Sequence, residues 1–221
     1  MVLASPAPNR IELSGEKRVT LHHLTWQSYL QILQALPQSR GARLTYDRGT
    51  LEITMPLENH EFAIRLIELF IRIVVVELGL KIKTMGSTTM NYEQLQRGSE
   101  PDCAYYIQNQ PLVTGRNVDF AQDPPPDLVV EVDITHTDIN KNRLYASIGV
   151  PEFWRYNGRE LQILRLEGDA YQECDRSPMF NKAVTWVEKQ DLYHFLEQAQ
   201  QDEVAAELAL RAWAREKRAA C

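Results

Sequence analysis

Cysteine is scarce in this chain: Cys103, Cys174 and Cys221 are three in 221 residues, an odd number with no Cys-x-x-Cys spacing. That excludes a disulfide framework and a thiolate zinc site as the organising principle of the fold. No apolar run approaches the ~20 residues needed to cross a bilayer. Met1 to Glu12 shows no basic start followed by an apolar core, so neither secretion nor a membrane role is expected, and a cytoplasmic address is. Basic excess is missing too. A net charge of −6 argues against a protein that coats nucleic acid non-specifically, because that requires clustered Lys and Arg; it leaves room for a local basic cleft. A Gly-rich phosphate loop, internal repeats and low-complexity tracts are also lacking.

What is present is enough apolar material, 44% of residues, to fill the core of one domain. Residues 25–36 carry apolar side chains at helical spacing and stop at Pro37, which predicts a leading helix. Residues 43–46 and 50–55 flank Asp47-Arg48-Gly49 and predict a hairpin with a three-residue loop. From 58 to 80 the pattern is helical, with Phe62, Leu66, Leu69, Ile73, Val76 and Leu80 on one face and Glu61, Arg65, Glu68 and Arg72 on another. Short strands are expected at 81–85, 90–92 and 102–107, then an irregular, Pro-rich loop over 108–126. A central strand over 127–134, a helix over 138–148 and strands over 149–157, 161–166 and 170–174 follow. Residues 192–220 predict one long amphipathic helix with Leu196, Val204, Leu208 and Trp213 as its apolar stripe. We therefore expect a main domain over 1–191 and an appended helix over 192–221. Its uncovered stripe suggests a homodimer contact.

The chemistry concentrates between Glu100 and Asn157. Along the central strand Asp127, Val129, Glu131 and Asp133 share one face, and Leu128, Val130, Val132 and Ile134 the other. An ionised carboxylate in so apolar a strand is costly unless a cation or hydrogen bonds offset its desolvation. Glu131 is thus the residue hardest to explain by structure alone. Asp102, on a neighbouring short strand, supplies a second carboxylate, and the two can converge on a hard cation such as Mg²⁺. Asp127, directly after three prolines, reads as a loop-capping residue. Read on its own, Lys141 is a solvated lysine beside Asn142 and Arg143, His136 is a loop residue, and Trp154 and Tyr156 are core aromatics.

Taken in order, Pro101-Asp102, Pro126-Asp127-Leu128-Val129-Val130-Glu131-Val132, Lys141 with Tyr145-Ala146, and Gly149-Val150-Pro151-Glu152-Phe153-Trp154 resemble the Uma-two family of the restriction-endonuclease-like PD-(D/E)xK superfamily. Upstream, Arg43 through Pro56 and Asn59-His60 resemble that family's opening hairpin and helix entrance, so the resemblance spans roughly residues 24–158. It implies an α/β (α+β) fold: a restriction-endonuclease-like core whose mixed central sheet is flanked by helices, here with a C-terminal helical extension. It also implies a metal-dependent endonuclease using Mg²⁺ or Mn²⁺, with nucleic acid, DNA in the first place, as its partner. Asp102 and Glu131 would be the metal ligands and, with Lys141, the catalytic set; His60, Glu61 and Asp133 would support them. One departure is plain. Where the superfamily pattern expects Glu-x-Lys, this chain has Glu131-Val132-Asp133, and the resemblance places the lysine at Lys141 instead. The alternative reading is a degenerate nuclease fold that binds nucleic acid or a protein without cleaving.

Overall fold

The computed structural model describes residues 15–37, 39–180 and 187–219; Met1 to Glu12 and Cys221 lie outside them. The chain opens with a strand that sequence patterning did not suggest, β1 (Glu16–Leu21), followed by α1 (Trp26–Ala35). Thr25 caps α1, its hydroxyl accepting from Ser28 N at 3.1 Å. The expected hairpin is β2 (Arg43–Asp47) and β3 (Thr50–Pro56). Its loop has two residues rather than three, because Asp47 and Thr50 are already paired. Arg48 and Gly49 both take positive φ, 43° and 107°, the twist a tight two-residue hairpin demands.

Next comes α2 (Glu58–Leu78), ended by Gly79 in the left-handed conformation. The short strands β4 (Lys83–Thr84), β5 (Met90–Tyr92), β6 (Arg97–Ser99) and β7 (Cys103–Tyr106) follow; β6 had no counterpart in the sequence reading. The remaining elements are β8 (Leu128–Val132), α3 (Lys141–Ile148), β9 (Glu152–Tyr156), β10 (Leu161–Glu167), β11 (Ala170–Cys174), α4 (Lys189–Ala199) and α5 (Glu203–Ala219).

The strands form two sheets where one was expected. An antiparallel sheet has the order β1-β3-β2-β6-β5, and a mixed one the order β11-β10-β9-β8-β7-β4, its β8 and β9 running parallel. Helix α1 covers the first sheet through Trp26 and Tyr29 against Leu44, Tyr46 and Leu51. Tyr29 lies so close over Gly98 that any side chain there would collide with it. The faces of β8 are as the alternation requires: Leu128, Val130 and Val132 join the α2 core, and Val129 joins Leu144, Tyr145 and Phe153 on the α3 side.

Two expectations about helices are corrected. On α2 the buried positions include Ile64, Ile67, Phe70, Ile71 and Val74, while Phe62 and Val76 are 38% and 55% exposed. Helix α2 is covered by the mixed sheet on one side and by α4 and α5 on another, so its buried band is wider than, and rotated from, a single surface stripe. The long C-terminal helix is two helices. Asp202 breaks it by capping α5, its carboxylate accepting from Val204 N and Ala205 N at 3.0 Å each, as an N-cap aspartate does. Leu196 and Trp213 pack into the α2 core, Trp213 lying 6.5 Å from Phe70 ring to ring. Arg215 clasps Glu77 of α2 with two 3.0 Å hydrogen bonds. The uncovered stripe is thereby reduced to Val204 and Leu208. Among the described residues, no helix is long and apolar enough to cross a membrane.

Candidate active site

The chain leaves the first sheet at β6 and enters the second at β7, and Asp102 stands in the three-residue passage between them. Strands β7 and β8 pair with Cys103 opposite Val130, so continuing that antiparallel register by one residue sets Asp102 against Glu131. The topology thus brings together two carboxylates 29 positions apart in sequence and aligns them with the basic residues of the first sheet.

Asp102 is 6% exposed and Glu131 3%. Asp102 Oδ2 accepts from Val132 N at 2.7 Å and meets His60 Nε2 at 3.0 Å; its Oδ1 accepts from the Arg43 guanidinium. Glu131 accepts from Lys141 Nζ at 2.8 Å and from the Tyr145 hydroxyl. Lys141, the first residue of α3, also donates to Asp133 at 2.7 Å. Asp133 is held further by Arg18 at 3.2 Å and Arg155 at 3.1 Å. The lysine missing from the strand is therefore replaced in space: Asp133 occupies its sequence position and binds the lysine that arrives from α3.

Of the six residues expected in the site, five converge, namely Asp102, Glu131, Asp133, Lys141 and His60. Glu61 does not join them as a third carboxylate. Its side chain is 40% exposed and reaches Arg43 at 3.4 Å, because the next residue along a helix points about 100° away from His60. His60 is 1% exposed and acts on Asp102 rather than capping α2. Its Nδ1 is buried without a hydrogen bond, 3.9 Å from Glu61 Oε1.

Sequence reasoning missed the residues that hold these groups. Tyr145 had a usable signal: it lies four residues after Lys141, on the same helical face. Accepting from Ser99 or donating to it at 2.7 Å, Tyr145 also ties α3 to the first sheet; because its proton goes to Glu131, Ser99 is the donor. Glu52 of β3 is fully buried and accepts from Arg18 at 2.7 Å, from Thr137 Oγ1 at 2.8 Å and from Asp138 N at 2.6 Å. It fixes the loop that delivers Lys141. Arg18 and Glu52 carried no sequence signal, since they meet each other 34 residues apart and Arg18 reaches Asp133 115 residues away.

The electrostatics follow from this packing. Burial opposes the charge on Asp102, but the His60 hydrogen bond and the charges of His60, Arg43 and Lys141 outweigh it, holding its pKa below the usual value. Asp133 is likewise held low against its burial, by Lys141, Arg155 and Arg18. Glu131 goes the other way. Burial raises it first, Lys141 pulls it down, and Asp102 and Asp133 push it up again, to about 7. Burial disfavours the charge on Lys141, yet Asp133, Glu131 and Asp102 raise its pKa, so it stays protonated. For His60, burial is outweighed by its hydrogen bond to Asp102 and by that residue's charge, which raise it.

The cavity between Arg43, His60, Asp102, Glu131 and Lys141 measures about 10 Å³, the space of a single small ion or water. Among the described residues, no group of three His, Cys, Asp or Glu side chains is arranged for a metal. Mg²⁺ does not demand one; it is commonly held by one or two carboxylates, with waters and substrate phosphates completing its shell. Two opposed carboxylates, Asp102 and Glu131, are oxygen donors of the kind such an ion takes.

Other polar residues have structural work. Asp127 accepts from Ile107 N at 2.6 Å and Asn109 N at 2.9 Å, closing a turn as its place after the prolines suggested. Glu152 lines a cavity of about 620 Å³ near the opposite end of β8, together with Asp127. It accepts from Trp154 Nε1 at 2.6 Å, Ser177 Oγ at 2.5 Å and Met179 N at 2.9 Å. His136 is an exposed loop residue 3.2 Å from Asp138, and Trp154 is fully buried.

Among curated proteins, none matches the chain. A family model does: Uma2, described as "Putative restriction endonuclease", over residues 26–214. The match runs well past Gly158, where the resemblance read from the sequence ended, and takes in β10, β11, α4 and most of α5. With a match of this extent, and the expected mixed sheet and flanking helices in place, the chain belongs to the Uma2 family of restriction-endonuclease-like proteins.

Proposed function

We propose that this protein is a Mg²⁺- or Mn²⁺-dependent endonuclease that hydrolyses phosphodiester bonds of nucleic acid, DNA in the first place. The observation that carries the reading is the meeting of Asp102 and Glu131 at the junction of the two sheets, with Lys141 2.8 Å from Glu131. Asp102 and Glu131 would hold the divalent ion. Bound there, such an ion supplies a water of lowered pKa and polarises a phosphoryl oxygen. His60 orients Asp102 and keeps it ionised; Lys141 orients Glu131, pulls its raised pKa down in part, and adds a fixed positive charge where negative charge builds up on the phosphate. Hydrolysis adds water across one P–O ester bond, the hydroxyl to phosphorus and the proton to the leaving oxygen.

Purified protein incubated with plasmid, single-stranded DNA and RNA, with Mg²⁺, Mn²⁺ or chelator, tests this directly. Cleavage that the chelator abolishes is expected. The second reading, a binding module without catalysis, draws on Arg43 and Lys141 already occupying the carboxylate oxygens. It predicts nucleic-acid binding with no cleavage under either metal.

A further inference from the structure

Next to the carboxylates the surface opens into a groove of about 670 Å³, formed by the end of α1, the segment leading into β2, the outer side of α2 and the loop between β4 and β5. Three arginines line it, Arg40, Arg43 and Arg65, together with the hydroxyl residues Ser87, Thr88 and Thr89. In a chain of net charge −6, three guanidiniums on one groove are a local exception. Arg43 stands at its inner end, bonded to Asp102, so groove and carboxylates are continuous.

Two lining residues are acidic, Glu61 and Glu100, so the groove keeps a formal excess of one positive charge. Glu100 is spent inward, accepting from Leu44 N at 2.8 Å and Thr89 Oγ1 at 2.5 Å as well as from Arg40. Arg65 is 71% exposed, and its contacts are with Glu68 at 3.2 Å and Glu61 at 3.8 Å on its own helix. Exposed pairs of this kind contribute little and exchange readily for a phosphate. Arg40 Nε is buried without a hydrogen-bond partner. Ser87 and Thr88 are both exposed, but the Thr88 hydroxyl donates to Met85 O at 2.5 Å, which leaves Ser87 as the exposed hydroxyl donor. None of the lining residues is aromatic, so the groove has nothing on which a base would stack.

We propose that this groove is the binding track for the sugar–phosphate backbone of the nucleic acid, with Arg65 and Ser87 contacting phosphates on the way to Asp102 and Glu131. Guanidiniums and hydroxyls recognise phosphate oxygens and carry no base information. Binding through this groove is therefore independent of base sequence and weakened by salt. The assignment rests on the nuclease reading and adds the surface that presents the substrate.

The test is fluorescence anisotropy with the full-length protein in chelator, using labelled DNA and RNA oligonucleotides of mixed sequence over a salt series. Arg65→Glu is expected to weaken binding about tenfold or more. Arg65→Ala, the milder variant, should flatten the slope of log affinity against log salt by about one. Arg165→Glu, the same charge change on β10, should match wild type. Equal affinities for Arg65→Glu and Arg165→Glu, with wild type still binding and cleaving, would overturn the groove alone. A wild-type protein that neither binds nor cleaves DNA or RNA would overturn the nuclease reading, and the groove with it.

Discussion

Lys141 shows how far position in space departs from position in sequence. Among charged neighbours at a helix start it reads as a solvated residue, yet its ammonium is buried between Glu131 and Asp133 at 2.8 and 2.7 Å. Removing one partner of a buried ion pair leaves an uncompensated charge, a loss of roughly 3–5 kcal/mol. Lys141→Ala is therefore expected to abolish cleavage and to lower the melting temperature by several degrees, measured by calorimetric scanning. An unchanged melting temperature with undiminished turnover would return Lys141 to the surface. Glu131 was legible because a carboxylate in an apolar strand has few explanations, and Asp102 through the resemblance carried by Pro101-Asp102. Arg18, Arg43 and Arg155 were not. Arginine is common on surfaces; the juxtaposition of the two sheets turns Arg18 and Arg43 toward the carboxylates, and the pairing of β8 with β9 sets Arg155 beside Glu131.

At the scale of elements, local pattern was a good guide where one side of an element decides its environment. The hairpin, α1, α3 and the run from β8 to β11 fell where alternation and turn residues placed them. The pattern failed where burial is two-sided or a strand is very short. On α2 the α4–α5 cover buries a second face, and β1 and β6 exist through pairing with β3 and β2 rather than through apolar periodicity. Glu152 at the start of β9 is another product of tertiary packing, its carboxylate clamping residues 177–179 to the mixed sheet. Burial pushes Glu152 up to about 7, against the pull of its three hydrogen bonds. A carboxyl whose pKa is raised on folding contributes stability fully below its unfolded value and loses that contribution as pH rises through the folded one. Between about pH 4.5 and 7 the metal-free protein should thus lose stability, in part through Glu152. In Glu152→Gln that loss should shrink by a few degrees of melting temperature; an identical pH dependence in both proteins would show that Glu152 does not titrate in this window.

For the whole molecule, the junction of the two sheets is what makes a site. The first sheet contributes Arg18, Arg43 and Glu52, the mixed sheet Glu131 and Asp133, and the passage between them Asp102; α2 and α3 add His60 and Lys141. The C-terminal helices close the opposite side of α2. A homodimer through them would use Val204 and Leu208, 69% and 64% exposed on α5. Light scattering of that dimer should give twice the chain mass, reduced to one chain by Leu208→Asp. A single-chain mass at high concentration would assign α5 to intramolecular packing alone. The claim on which everything else rests is that Asp102 and Glu131 hold a divalent ion, and titration calorimetry with Mg²⁺ and Mn²⁺ tests it most directly. Because Glu131 must lose its proton to bind, affinity should rise as pH passes through about 7, and Asp102→Ala and Glu131→Ala should each weaken binding strongly. Unchanged affinity in both variants, with no dependence on pH across that range, would contradict the account.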